Sequence, residues 1–208
     1  MSVLDKLATS LGRRDEQPNV ELAEQLAEAK DTKAIKELVA ALKDKNKSII
    51  ADALKTLYEV GYRSPELIAP YAQEFVELLK SKNNRLQWGA MTALSGIAPL
   101  KQEMLYEAIP LLAPIVDKGT VITRDHYVKI LVAIAESSKY NEDALDLLLE
   151  ILQTAPENQF PKYAEEVSTV AKGKNRDLLK TIVTDRLQGI EVETKKKRVE
   201  KLLKKLSK

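Results

Sequence analysis

The side chains that could do chemistry in this 208-residue chain are few. There is one histidine, His126, and no cysteine. A single imidazole cannot build a histidine-rich metal site, and no thiolate is available to complete one. A Ser/His/Asp arrangement would have to recruit His126 next to Asp125, yet no nucleophile-elbow pattern occurs, and a base needs a positioned partner. His126 is therefore expected to be an ordinary surface residue, on the side of its helix away from the apolar stripe. The stretch "AKGKNR" lacks the spacing of a phosphate-binding loop. Carboxylate pairs such as Asp15/Glu16 and Glu165/Glu166 are adjacent in sequence, so they diverge and do not converge on a substrate. These residues carry no catalytic signature, and no metal or cofactor is expected.

Two features point to binding. The only tryptophan, Trp88, sits in "NNRLQWGAMTALSGIAPL". The stretch from residue 195 on, "KKKRVEKLLKKLSK", holds eight basic residues and one acidic, while the remainder carries 25 basic and 30 acidic. Any polyanion contact must therefore rest on Lys195, Lys196, Lys197, Arg198, Lys201, Lys204 and Lys205. That segment has no aromatic residue to stack on bases, and its apolar stripe, Val199/Leu202/Leu203/Leu206, is needed to cap a helical array. A solvated cap is the competing reading.

The elements that must position these residues follow from an internal repeat. "FVELLKSKNNRLQWGAMTALSGIA" aligns under "LVAALKDKNKSIIADALKTLYEVG" without a gap at an offset of 37. Leu42 meets Leu79, Asn46 meets Asn83, Leu57 meets Leu94 and Val60 meets Ile97. Another step of 37 reaches Leu131 and Ile134, and steps of 36 reach Val167/Val170 and then Leu203/Leu206. Each period holds two helical stripes. The first helices show Ile35/Leu38/Val39/Leu42, Tyr71/Phe75/Leu78/Leu79, Leu105/Ile109/Leu112/Val116 and Leu145/Leu148/Leu149/Leu152, one apolar face each. Breakers such as "KDKNK", "SKNN" and "KYNED" separate them. Gly61 and Gly173 suit left-handed helix caps. Such hairpins cannot bury both faces alone, so neighbours must stack.

The predicted fold is all-α: a right-handed alpha-alpha superhelix, or solenoid, of about five stacked helical hairpins with helical caps. The whole chain reads as one domain. Residues 1–30 form N-terminal capping helices (over 3–12 and 19–30), residues 31–172 form four repeats, and residues 173–208 form a last repeat ending in the basic helix. Low aromatic content, 5%, and a leucine-, alanine-, lysine- and glutamate-rich composition agree with helices. The opening "MSVLDKLATSLGRRDEQ" does not read as a signal peptide. The longest uncharged stretch, Leu86 to Leu100, is too short to span a bilayer. A cytoplasmic location without membrane contact is expected, and polar caps at both ends favour a monomer.

Within "NNRLQWGAMTALSGIA" and "IPLLAPIVDKG" the pattern resembles the HEAT family of helical hairpin repeats, over roughly residues 31–172, with departures at Asp125, His126 and Pro161. The resemblance implies that second helices line a concave surface, placing Trp88 there with Lys55, Tyr58, Tyr62, Arg85, Asp125 and Lys129. Taking Met91 and Leu94 as inward puts Thr92 farthest outward, Trp88 on the shoulder and Gly89 at a tolerant exposed position. The repeat equivalents of Trp88 are Ala51, Asp125 and Pro161, too varied for a core position. Trp88 is either a partner anchor or a packing residue in the groove between second helices. The leading expectation is a non-enzymatic scaffold that binds a protein or peptide on that face. The alternative is a DNA-binding protein related to HEAT-like DNA-alkylation glycosylases, acting through the basic helix. Those enzymes set an aspartate one turn from a tryptophan, where this chain has Thr92.

Overall fold

In the computed structural model, which describes residues 2–207, every regular element is helical. The helices are α1 (Gln17–Ala29), α2 (Thr32–Ala41), α3 (Lys47–Arg63), the single turn α4 (Pro65–Ile68), α5 (Ala72–Leu78), α6 (Asn84–Ile97), α7 (Gln102–Lys118) and α8 (Val121–Ala135). They continue with α9 (Asn141–Thr154), α10 (Phe160–Val167), α11 (Gly173–Leu187) and α12 (Glu193–Leu206). The contacts divide the chain into two compact units, Met1–Tyr127 and Val128–Lys208.

The hairpin period has a local cause at its turns. Asn46 and Asn83, one period apart, each accept a hydrogen bond from the backbone two residues on, at Ser48 and Arg85, both 2.9 Å. Each thereby satisfies one of the orphan N–H groups that begin a helix. One period later Thr120 precedes α8, and its hydroxyl accepts from the Thr123 N–H at 3.4 Å. Asp31 caps α2 in the same way through Ala34, at 2.9 Å. Pro18 lies in the first turn of α1 and Pro161 in that of α10, where no N–H is needed.

In the first unit, α3 packs between α1 and α6, with α2 and α4 also against it. The predicted stripes supply the core: Ile35, Leu38, Leu54, Leu57, Phe75, Met91 and Leu94 are buried, whereas Tyr71, Leu78 and Ile109 are half-buried. In the second unit, Leu145, Leu148, Phe160, Tyr163 and Leu179 form the centre. There the Arg186 guanidinium stacks 4.6 Å from the Phe160 ring centre. It also donates to the carbonyls of Leu152, Gln153 and Ala155 at 2.7, 2.7 and 2.5 Å, closing the C-terminal end of α9.

Several expectations are corrected. Residues 3–12 hold only a 3-10 turn, Val3–Lys6, followed by further turns, so α1 is the sole α-helix before residue 31. Gly173 does adopt a left-handed conformation (φ +50°), but at the start of α11. Gly61 lies inside α3 with an ordinary φ, where an added Cβ would come within 2.6 Å of Ile68 Cδ1. Gly61 is there for close packing, and the left-handed end of α1 is instead Lys30, at φ 49°.

Candidate functional site

Second helices are buried on more than the single stripe a helical wheel predicts. Thr92, expected farthest outward, is buried, and its hydroxyl donates to the Trp88 carbonyl at 2.8 Å. Gly89 is likewise buried, because α6 approaches α3 so closely that a Cβ there would lie 2.7 Å from Leu54 Cδ2. Its repeat equivalent Asp52 is also buried and accepts from the Thr9 N–H at 2.7 Å.

His126, the third member of that position, is buried and not a surface residue. Its Nδ1 lies 2.7 Å from Ser95 Oγ, which is 2.8 Å from the Thr92 carbonyl. A carbonyl can only accept, so both contacts are satisfied when the hydroxyl donates to Thr92 and accepts from a protonated Nδ1. In that arrangement the imidazole does not act as base toward Ser95. The pair is a polar link between α6 and α8.

What stays open is a narrower strip along α3 and α6, and there the structure gathers five of the predicted residues. Tyr58 is buried and forms the floor. Its ring centre lies 6.0 Å from that of Tyr62, edge-on, and 6.1 Å from that of Trp88, tilted by 53°. Aromatic pairs at these separations add roughly 0.5–1.5 kcal/mol beyond their buried area. Tyr62 is 52% exposed, and Trp88 is half-buried in the groove between the helices. Burial raises the phenol pKa of both Tyr58 and Tyr62.

The cations of the strip are held by carboxylates. Lys55, its side chain 14% exposed, lies 4.8 Å from the Tyr58 ring centre, 2.9 Å from Glu59 and 3.3 Å from Glu16. Burial works against its charge, but hydrogen bonding to Glu59 and the nearness of Tyr58 outweigh it and raise its pKa above the ordinary lysine value. Glu59 also binds Arg63 at 2.8 Å, and Arg63 reaches Glu24 at 2.7 Å. Burial opposes ionisation of Glu59 as well, yet hydrogen bonds from Lys55 and Arg63 prevail and lower its pKa. Arg85, 52% exposed along its side chain, contacts Glu16 at 2.7 Å.

Glu16 is the residue sequence reasoning missed. It stands at the N-cap of α1 without capping it, and turns one carboxylate oxygen to Arg85 and the other to Lys55. The Lys55–Glu59–Arg63 series follows the i, i+4 rule and is readable from sequence. Glu16 comes from 39 and 69 positions away from its partners, and no local pattern signals it. Of the remaining predicted residues, Asp125 is half-buried on α8 in the first unit, and Lys129, exposed, belongs to the second.

The basic helix α12 buries Val199, Leu202 and Leu206 and leaves Leu203 half-buried. Arg198 binds Glu165 with two hydrogen bonds, 2.7 and 2.6 Å, which hold that carboxyl below its ordinary pKa range. Lys195 donates to Asn158, and Lys197 lies 3.5 Å from Glu193. Lys196, Lys201, Lys204 and Lys205 are exposed. Among the described residues no cluster of three or more histidine, aspartate and glutamate side chains is placed to hold a metal ion. Among them, too, no helix is long and apolar enough to cross a membrane.

Helical hairpins repeating at this period define an armadillo-like helical-repeat solenoid, and solved structures bear this out. An engineered protein from a structural genomics consortium is similar over 100% of this chain and 97% of its own, at 20% identity and a TM-score of 0.65. A designed armadillo repeat protein in complex with peptide (KR)4 matches over 88% of this chain and 85% of its own, at 21% identity and a TM-score of 0.67. A computationally designed armadillo repeat protein for modular peptide recognition matches over 97% of both chains, at 16% identity and a TM-score of 0.64. At these identities the likeness establishes the fold alone. Neither a scan against protein families nor a search of curated proteins gives a match.

Proposed function

We propose that this chain is a non-enzymatic helical-repeat scaffold that docks an extended protein segment on the second-helix strip of its first unit. Trp88, Tyr62 and Arg85 are the contact residues, with Tyr58 and Lys55 beneath them. By its repeat position Asp125 extends the strip, and Lys129 is proposed separately as a contact residue of the second unit. The proposal includes a HEAT-type relationship, action as one domain, a monomeric state and a cytoplasmic location. The observation that carries it is the aromatic series Tyr62–Tyr58–Trp88, continuous across two helices with Tyr62 and part of Trp88 open to solvent. Tryptophan, tyrosine and arginine are the residue types that dominate binding energy at protein interfaces. Two similar folds are a complex with a peptide and a design for peptide recognition, which supports the same use of the surface.

The test is selection of binders from a random peptide display library, followed by titration against wild type, Trp88→Ala and Tyr62→Ala. The substitutions should weaken binding at least tenfold while lowering the melting midpoint only modestly. Binders indifferent to both substitutions would refute the assignment of the strip.

A second reading draws on the exposed Lys196, Lys201, Lys204 and Lys205. On that reading α12 contacts a nucleic acid through its phosphates. Duplex DNA binding that tightens steeply as salt is lowered and disappears on truncation before Lys195 supports it. Salt-insensitive binding, or none, counts against it.

A further inference from the structure

Resting on the docking surface just described, we infer that its partner segment is acidic and that Glu16 is an intramolecular stand-in for the partner's carboxylate. The depression between α3 and α6 is lined by Leu54, Lys55, Tyr58, Arg85 and Trp88, and Glu16 is the only carboxylate among its lining residues. It has room for little more than a water molecule beside the Glu16 side chain. Two donors hold that position, the Arg85 guanidinium and the Lys55 ammonium, and each takes one oxygen of the same carboxylate. Trp88 lines the depression beside them and offers a ring face to an incoming chain.

A cationic segment fits less well. Of the strip's three aromatic faces, that of Tyr58 already has the Lys55 ammonium at 4.8 Å. Glu59 lies between Lys55 and Arg63, so its charge is already shared by two cations. If Glu16 swings out, Lys55 keeps Glu59, and Arg85 is left with no carboxylate partner. The vacated position therefore has a net positive character, complementary to aspartate or glutamate on an incoming chain. Displacement is inexpensive on the Arg85 side, where both partners are about half exposed, and Lys55, more buried, keeps Glu59 when Glu16 leaves. Glu16 thus sets a threshold: weakly acidic segments fail to displace it, and strongly acidic ones succeed.

The test titrates the full chain with two probes, a repeating Glu-Leu octapeptide and a repeating Lys-Arg octapeptide, following Trp88 fluorescence and heat of binding. Wild type is compared with Glu16→Gln and Arg85→Gln, with melting midpoints checked for each. The Glu-Leu peptide should bind, tighten roughly threefold to tenfold with E16Q through release of two surface ion pairs, and weaken with R85Q. Lys-Arg binding that weakens with E16Q would leave the docking surface standing and overturn the acidic assignment. Glu-Leu binding indifferent to both substitutions places that peptide away from the Glu16 position and overturns the acidic assignment equally. Binding of neither peptide to any variant removes the docking surface itself.

Discussion

Three glycines inside second helices share ordinary backbone conformations but not the same surroundings, and that contrast makes a sharp test of the packing. At Gly96 an added Cβ would meet the Gly61 carbonyl oxygen and carbon at 3.6 and 3.7 Å, ordinary contact distances. At Gly89 it would meet Leu54 Cδ2 at 2.7 Å and Cγ at 3.1 Å, and Leu54 is buried. Replacing a helical glycine by alanine gains up to about 1 kcal/mol from the backbone in either place. Forcing a methyl into a filled core costs about 1–3 kcal/mol. Gly96→Ala should therefore stabilise by roughly 0.5–1 kcal/mol, whereas Gly89→Ala should be neutral to destabilising by up to ~2 kcal/mol. At this chain length a difference of ~1–3 kcal/mol separates the two melting midpoints by roughly 3–9 °C. Trp88 is the only tryptophan and sits on the same helix, so its fluorescence in thermal and urea unfolding reports the relevant unit. Gly61→Ala, facing buried Ile68 at 2.6 Å, should group with Gly89→Ala. Equal upward shifts for Gly89→Ala and Gly96→Ala would refute the close α3–α6 approach on which the strip depends.

Other outcomes follow from the polar contacts. Because the Glu59 carboxyl is depressed in the folded state, its contribution to stability is full above the ordinary glutamate value of 4.5 and lost as pH falls through the folded value. A urea midpoint measured across that acid range should drop less steeply in Glu59→Gln than in wild type, and an identical slope would contradict the Lys55–Glu59–Arg63 linkage. Arg186→Lys loses the planar fork that serves three carbonyls and should cost about 1–3 kcal/mol, read by calorimetry against wild type. Ser95→Ala removes the hydroxyl at His126 Nδ1 and should destabilise by about 1–3 kcal/mol. A neutral result would show that the imidazole is supported adequately elsewhere.

Much of this architecture is legible in the chain itself. The 37-residue spacing of Leu42/Leu79 and Leu57/Leu94, and the asparagines at Asn46 and Asn83, fix hairpin positions through purely local physics: one apolar stripe per helix and one cap per turn. The expectation that Lys55, Tyr58, Tyr62, Arg85 and Trp88 share one surface comes from the resemblance to helical hairpin repeats, and the structure sets these five along α3 and α6. What escaped is the surroundings of each side chain. A helical wheel assumes one partner, but α3 has neighbours on both flanks, so Asp52, Gly89, Thr92 and His126 are buried where one stripe predicts exposure. Tyr58 becomes floor for the same reason. Glu16 is placed by tertiary approach alone and has no equivalent in the repeat.

The recurrent caps carry a consequence for how chain length can vary. Asn46 and Asn83 accept the same local bond one period apart, so each helix start is specified by the few residues beside it. Joining Lys45 directly to Asn83 would delete a whole period, and the new junction would still read as an acceptor followed by a helix. Insertions or losses of 37 residues at these asparagines conserve every stripe, whereas a shift of one residue misaligns all that follow. Whole hairpins, and not single residues, are the natural increments by which such a chain lengthens or shortens.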